Sequence, residues 1–242
     1  MQNKPPKIKS KQSKNKFYLY DTAFFTDVRS EFFSGTYWQN KGAITGQETG
    51  RGTTFFLRHE THDLVLRHYL RGGLVSKISK DNYLFRHLKS CRSISEFDIL
   101  NQLNALGLPV PKPAAAHVIR QGLSYKADLL TQRIPNAKDL VQVLKTAQNN
   151  AFFEQLGAMI ALFHQQGVYH ADLNIQNILQ DSNRNFWLID FDRAKIVKPS
   201  QTWRHANLKR LKRSFIKEKE RYGIKWEITD WEMLVEAYQK AF

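Results

Sequence analysis

The stretch GVYHADLNIQNILQD sets His170, Asp172, Asn174 and Asn177 close together, and after the spacer SNRNF the run WLIDFDRAKI adds Asp190 and Asp192. This is a set that phosphoryl transfer can use. One carboxylate orients an attacking hydroxyl, while an amide and a second carboxylate hold the metal ions that neutralise nucleotide phosphates. The same residues would also make a polar loop between two strands, so the flanking elements must decide.

Immediately upstream, NAFFEQLGAMIALFHQQG has apolar residues at Phe152, Phe153, Leu156, Met159, Ile160 and Phe163, which predicts a long helix stopped at Gly167. Downstream, NFWLID reads as the second arm of a short hairpin. The segment AITGQETGRGTTFFLRHETHDLVLRHYLRGG alternates apolar runs with glycine and charged breaks and predicts a strand meander. In SISEFDILNQLNALG, helical spacing runs through Ile94, Phe97, Leu100, Leu103 and Leu106, with Ser93 as N-cap, Glu96 at the capping-box position and Gly107 as the stop. Two further strands are expected around the glycine of AAAHVIRQGLSYKADLLTQRI. The segment from Arg204 onward reads as helical, and strongly basic in its first half. Residues 1–16 carry six lysines and almost nothing apolar, and read as a flexible basic arm. The resulting division is an arm over 1–16, a small strand-rich lobe over 17–135 and a mainly helical lobe over 136–242.

A chain of 242 residues, 42% hydrophobic and 12% aromatic, is long enough for one sizeable core or two small lobes. Its single cysteine, Cys91, excludes an internal disulfide framework and points to a reducing, cytoplasmic setting. No apolar run approaches the roughly 20 residues that span a bilayer, and the charged start lacks the apolar segment of a signal peptide. A net charge of +15 favours anionic partners: nucleic acid, an anionic membrane face or a phosphorylated substrate. Aromatic residues do not interleave with the basic ones as base stacking requires, so nucleic acid is not expected.

His170-Ala-Asp172-Leu-Asn-Ile-Gln-Asn177 followed by Asp190-Phe-Asp192 resembles the catalytic loop and metal-binding turn of the protein-kinase-like phosphotransferases. The resemblance implies an α+β, bilobal fold with a small strand-rich N-lobe, a mainly helical C-lobe and the nucleotide between them. It makes Asp172 the catalytic base and Asn177 and Asp190 the ligands of Mg2+ bridging the phosphates of ATP. His170 is implied to be structural; Asn174 and Asp192 are either functional or turn caps. Gly50 and Gly52 in TGQETGRGTTFF would cover the phosphates. Arg67 in LVLRHYLRGG stands where related kinases have lysine, with Glu96 as its partner. Ala171 removes the arginine that pairs with a phosphorylated activation loop, and little room follows Asp190 for a peptide platform. Both departures favour a small-molecule or glycolipid hydroxyl.

Taken together, YLRGGLVSKISKDNYLF, ADLLTQRIPNAKDL, GVYHADLNIQNIL and IDFDRAKI are similar to the bacterial 3-deoxy-D-manno-octulosonic acid (Kdo) kinases over nearly the whole chain. That family implies phosphorylation of the 4-hydroxyl of a Kdo sugar on a lipid A precursor in lipopolysaccharide inner-core synthesis. It also implies a peripheral enzyme on the cytoplasmic face of the inner membrane, held by its anionic surface, with no protein partner called for. Arg71, Lys77 and Lys80 are candidate contacts to the acceptor's phosphates. Two alternatives stay open: another acceptor, such as a lipopolysaccharide heptose or a protein target as in atypical kinases, and an inactive kinase-like module that binds an anionic surface. A pure binding module has no need to keep Asp172, Asn177 and Asp190 together.

Overall fold

The computed structural model describes residues 7–50, 52–71 and 81–242. The chain separates into two compact units, Met1–Ala105 with Pro111–Arg133 and Leu106–Val110 with Ile134–Phe242.

The first unit is built on an antiparallel sheet. Its strands are β1 (Ile8–Ser13), β2 (Lys16–Asp21), β3 (Ile44–Thr49), β4 (Thr53–His59), β5 (His62–His68), β6 (Tyr83–Leu84), β7 (Pro113–Gln121) and β8 (Ser124–Gln132). Their order across the sheet is β1-β2-β7-β8-β5-β4-β3, with β6 pairing β8. The inner strand β7 is buried on both faces over most of its length. One face of the sheet carries an aromatic core that includes Tyr18, Phe25, Phe33, Trp38, Leu57 and Leu64, beside the short helix α1 (Gly35–Asn40). The helix α2 (Arg92–Ala105) packs on β7 and β8, and Ala114, Ala115 and Ala116 of β7 are all fully buried.

The expected meander and the two strands around Gly122 are present, and Ile94, Phe97, Leu100 and Leu103 of α2 are buried as the helical spacing requires. Two expectations are corrected. Ser93 is not the N-cap: it lies inside α2 and donates its hydroxyl proton to the carbonyl of His117, 2.8 Å away. Residues 7–16 are not a flexible arm. β1 pairs residue for residue with β2, Ile8 opposite Asp21 through Ser13 opposite Lys16, and Lys11 binds Asp27 at 2.7 Å. Ladder hydrogen bonds hold this edge strand while its lysines stay in water, a common way of protecting a sheet edge, so its lack of apolar residues misleads. Residues 1–6 lie outside the described part.

The second unit is mainly helical. It contains β9 (Lys138–Asp139), α3 (Leu140–Val143), α4 (Asn150–Gln165), β10 (Val168–Tyr169), β11 (Ile178–Gln180), β12 (Phe186–Leu188), β13 (Lys195–Ile196), α5 (Gln201–Tyr222) and α6 (Ile228–Lys240). Asn149 caps α4 by accepting from the Phe152 N–H at 3.1 Å, and the six apolar residues counted from sequence are all buried. α4 lies against α6 so closely that a Cβ on Gly157 would meet the Leu234 carbonyl oxygen at 2.1 Å. Gly167, at φ +72°, ends the helix, and a Cβ there would meet the Val197 carbonyl oxygen at 2.2 Å. α4 therefore delivers the chain through β10, paired with β13, into the stretch at His170.

Candidate active site

His170 fixes the loop. Its ring is 2% exposed and packs edge-on against Phe191, ring centroids 5.0 Å apart. Nδ1 accepts the Asp172 N–H at 3.2 Å while Nε2 lies 3.0 Å from the Ile189 carbonyl, an arrangement met by the neutral tautomer with its proton on Nε2. Burial lowers its pKa, so it stays neutral and serves as a strut between the loop and the turn at Asp190.

Asn174 caps the single helical turn Ile175–Asn177, accepting from the N–H groups of Gln176 and Asn177 at 2.9 and 3.2 Å, and donates to the Asp172 carbonyl at 3.0 Å. The Asn177 amide also donates to that carbonyl, at 2.9 Å. Its Nδ2 is thereby engaged and Oδ1 is left as an acceptor. The hairpin of β11 and β12 then returns the chain, and the Ile189 N–H donates to the Asn177 carbonyl at 2.9 Å. This bond brings Asp190 beside Asn177. Asp190 has φ +62°, a left-handed conformation that costs a carboxylate residue energy and that surroundings must impose. Phe191, 1% exposed and stacked on Phe163, supplies that constraint. Asp192 is largely buried beside Arg193.

Asp172 itself is half-exposed. One oxygen, Oδ1, accepts from Arg210 of α5 at 2.8 Å, and the other has no hydrogen-bond partner among the described residues. An acceptor hydroxyl can therefore reach this carboxylate. Mg2+ is bound by one or two carboxylates together with substrate phosphates rather than by a dedicated cage. The donor pair of Asn177 Oδ1 and Asp190 suits that habit, and among the described residues no cluster of three or more His, Cys, Asp or Glu offers a cage.

In the first unit, Arg67 of β5 and Glu96 of α2 meet at 2.6 Å, and Glu96 is only 3% exposed. The Tyr69 hydroxyl also donates to the Glu96 carboxylate, and the Arg67 guanidinium lies 5.1 Å from the centre of the Tyr69 ring. A buried carboxylate needs such partners. Glu96 is thus turned toward the sheet. The turn at Gly50 and Gly52 joins β3 to β4, and the Gly50 N–H is spent on the Gly52 carbonyl at 2.9 Å. That N–H is not free for a phosphate, although the space where a Cβ of Gly50 would stand is open. Arg71 lies over the Tyr83 ring, while Lys77 and Lys80 fall outside the described residues.

Sequence reasoning missed the α5 residues that hold the loop. Asn207, 2% exposed, accepts the His170 N–H at 3.3 Å and donates to the His170 carbonyl at 3.1 Å. Ser214 accepts the Ile175 N–H at 3.2 Å, and Arg210 lies between the two on Asp172. The spacing i, i+3, i+7 is visible in the sequence, but a basic helix gives no sign of which face meets the loop. Tyr69, one residue past the end of β5 and two from Arg67, could have been found by carrying period-two reasoning beyond the strand.

An antiparallel sheet whose strand arginine pairs with a helix glutamate in one unit, and this loop with its paired turn in the other, define a kinase-like α+β protein. The chain belongs to the lipopolysaccharide kinase (Kdo/WaaP) family, whose model matches residues 35–238. It is 43% identical over 221 residues to a 3-deoxy-D-manno-octulosonic acid kinase of Vibrio vulnificus (strain YJ016), covering 91% of this chain and 93% of that protein. A protein of the same name from Mannheimia succiniciproducens is 42% identical, with 94% and 98% covered. One from Stenotrophomonas maltophilia is 42% identical, with 93% and 90% covered.

Proposed function

We propose that this protein is an ATP-dependent kinase that phosphorylates the 4-hydroxyl of a Kdo sugar on a lipid A precursor, in lipopolysaccharide inner-core synthesis. The observation that carries the reading is the half-exposed Asp172 carboxylate, fixed by the His170 strut and set beside the Asn177 and Asp190 turn. The acceptor hydroxyl binds Asp172, and its oxygen attacks the γ-phosphorus of ATP. As the new O–P bond forms, the bond to the bridging oxygen breaks, ADP leaves with the electron pair, and the hydroxyl proton passes to Asp172. Asn177 and Asp190 would hold Mg2+, and the ion would supply neutralisation of charge on the phosphate oxygens. Arg67, held by Glu96 and Tyr69, is the nucleotide-contacting cation of the first unit, and the turn at Gly50 and Gly52 covers the phosphates.

The same reading places the protein peripherally on the cytoplasmic face of the inner membrane. Among the described residues no helix is long and apolar enough to cross a membrane. α5 carries eight lysines and arginines against two glutamates, and a basic residue near an anionic leaflet contributes about 1 kcal/mol. A groove of about 640 Å³ between α5 and α6, lined by Arg204, Lys209 and Lys212 beside Trp231, Tyr238 and Phe242, adds apolar surface next to those cations.

The test is the product. Phosphorus-coupled NMR of the phosphorylated lipid should place the new phosphate on C4 of Kdo. A phosphate on a heptose or on protein would replace this acceptor with one of the alternatives.

A further inference from the structure

The loop that carries the base holds no cation of its own: between Val168 and Gln180 there is neither lysine nor arginine. Yet phosphoryl transfer spreads charge over three equatorial oxygens, and that charge needs preorganised donors beside the point of transfer. The cation that does reach the loop comes from α5. Arg210 donates to Asp172 Oδ1 at 2.8 Å, and its side chain is 46% exposed. An ion pair this exposed adds little to stability, so holding the fold together does not explain it.

Its placement is set from both sides. The buried Asn207 bonds the backbone of His170 through both its N–H and its carbonyl, and Ser214 bonds the N–H of Ile175. These contacts bracket Asp172 and lie on one face of α5 with Arg210, which fixes where the guanidinium starts from. An acceptor hydroxyl on the free oxygen of Asp172 would sit about 2.7 Å from it, with the phosphorus it attacks about 3 to 3.5 Å beyond. A guanidinium already on the same carboxylate needs only side-chain rotation to reach the phosphoryl oxygens.

We propose that Arg210 is a catalytic residue that moves from Asp172 onto the γ-phosphoryl oxygens and donates hydrogen bonds to them during transfer. It keeps its protons throughout; the bonds made and broken and the proton taken by Asp172 are those given above. The inference rests on the kinase reading. It also gives the nucleotide-free pair a role: Arg210 keeps the carboxylate occupied until a γ-phosphoryl arrives.

The test uses the full-length protein with magnesium and compares binding of a non-hydrolysable ATP analogue with binding of ADP, by calorimetry. Arg210→Ala should weaken the ATP analogue about tenfold or more and leave ADP unchanged, since only the former has the γ-phosphate. Turnover on a Kdo-bearing lipid should fall by about 10²-fold or more. Arg210→Lys should recover part of both losses. Arg184→Ala, which removes the same charge from an exposed position of the hairpin between β11 and β12, should change neither. Unchanged melting temperatures exclude misfolding, and Arg210→Lys serves if the alanine variant does not fold. Equal loss of both nucleotides, or full turnover without Arg210, would overturn the proposal while leaving the kinase reading in place. A wild-type protein that binds neither nucleotide would overturn both.

Discussion

His164 should set the acid limit of this protein's stability. It lies on α4, 2% exposed, with its Nδ1 2.9 Å from the Tyr238 hydroxyl and its ring edge-on to Trp203. Burial, reinforced by the nearby charge of Arg204, lowers its pKa from 6.5 to about 4. An unfolded histidine takes up its proton as pH falls through about 6.5, whereas the folded one resists until near pH 4. Between those values the unfolded state binds more protons, so this contribution is complete above pH 6.5 and is lost as pH falls. At about 1.36 kcal/mol per pH unit, it costs about 2 kcal/mol at pH 5 relative to pH 7 and about 3 kcal/mol near pH 4. The buried His170 acts with the same sign. His164→Gln keeps a hydrogen-bonding group beside Tyr238 but cannot titrate. Urea unfolding at pH 7 and pH 5 is followed by tryptophan fluorescence, because Trp187, Trp203, Trp226 and Trp231 all belong to the second unit. The wild-type midpoint should drop about 1 M further than the variant's on acidification, for a slope of about 2 kcal/mol/M. Equal drops in both proteins, or a His164 NMR titration near pH 6.5, would refute the reasoning.

The other predictions concern the site and the packing beneath it. Asp172→Asn should lower turnover about 10² to 10⁴-fold while calorimetry finds nucleotide affinity little changed, because the base serves the acceptor; an equal loss of ATP binding counts against that role. Asp190→Ala should weaken binding of magnesium-nucleotide and leave metal-free nucleotide binding nearly as it was, and an unchanged magnesium dependence would contradict the metal assignment. Gly157→Ala should destabilise the second unit by about 1 to 3 kcal/mol, read as a lower urea midpoint, because the new methyl meets the backbone of α6. A midpoint within error of wild type would mean that α4 and α6 can separate without cost.

Sequence made most of the framework readable where burial and local pattern agree. α4 has a 3.6-residue apolar rhythm and a glycine stop, and the helix and its end follow from those features, whereas its cap at Asn149 came only with the structure. The meander was visible because its apolar runs are broken by glycine and charge. β1 escaped for the opposite reason: its stability comes from backbone pairing with β2, which leaves no trace in composition. Within the site, the loop and turn residues announce themselves by type and spacing, and the Arg67–Glu96 pairing was reachable once a strand cation and a helix carboxylate were both recognised. Asn207, Arg210 and Ser214 were not reachable. They act from a helix whose other residues are equally basic and polar, and only its placement against the loop singles out that face. Ser93 shows the converse error, in which a good capping sequence is overridden by a buried tertiary hydrogen bond to β7.

The most direct test of the central claim is transfer of label from γ-labelled ATP, with magnesium, to lipid A precursor offered with and without Kdo, alongside Asp172→Asn. The account predicts label on the Kdo-bearing lipid alone, and only with Asp172 in place. Label on the Kdo-free lipid, or transfer that persists without Asp172, would contradict it.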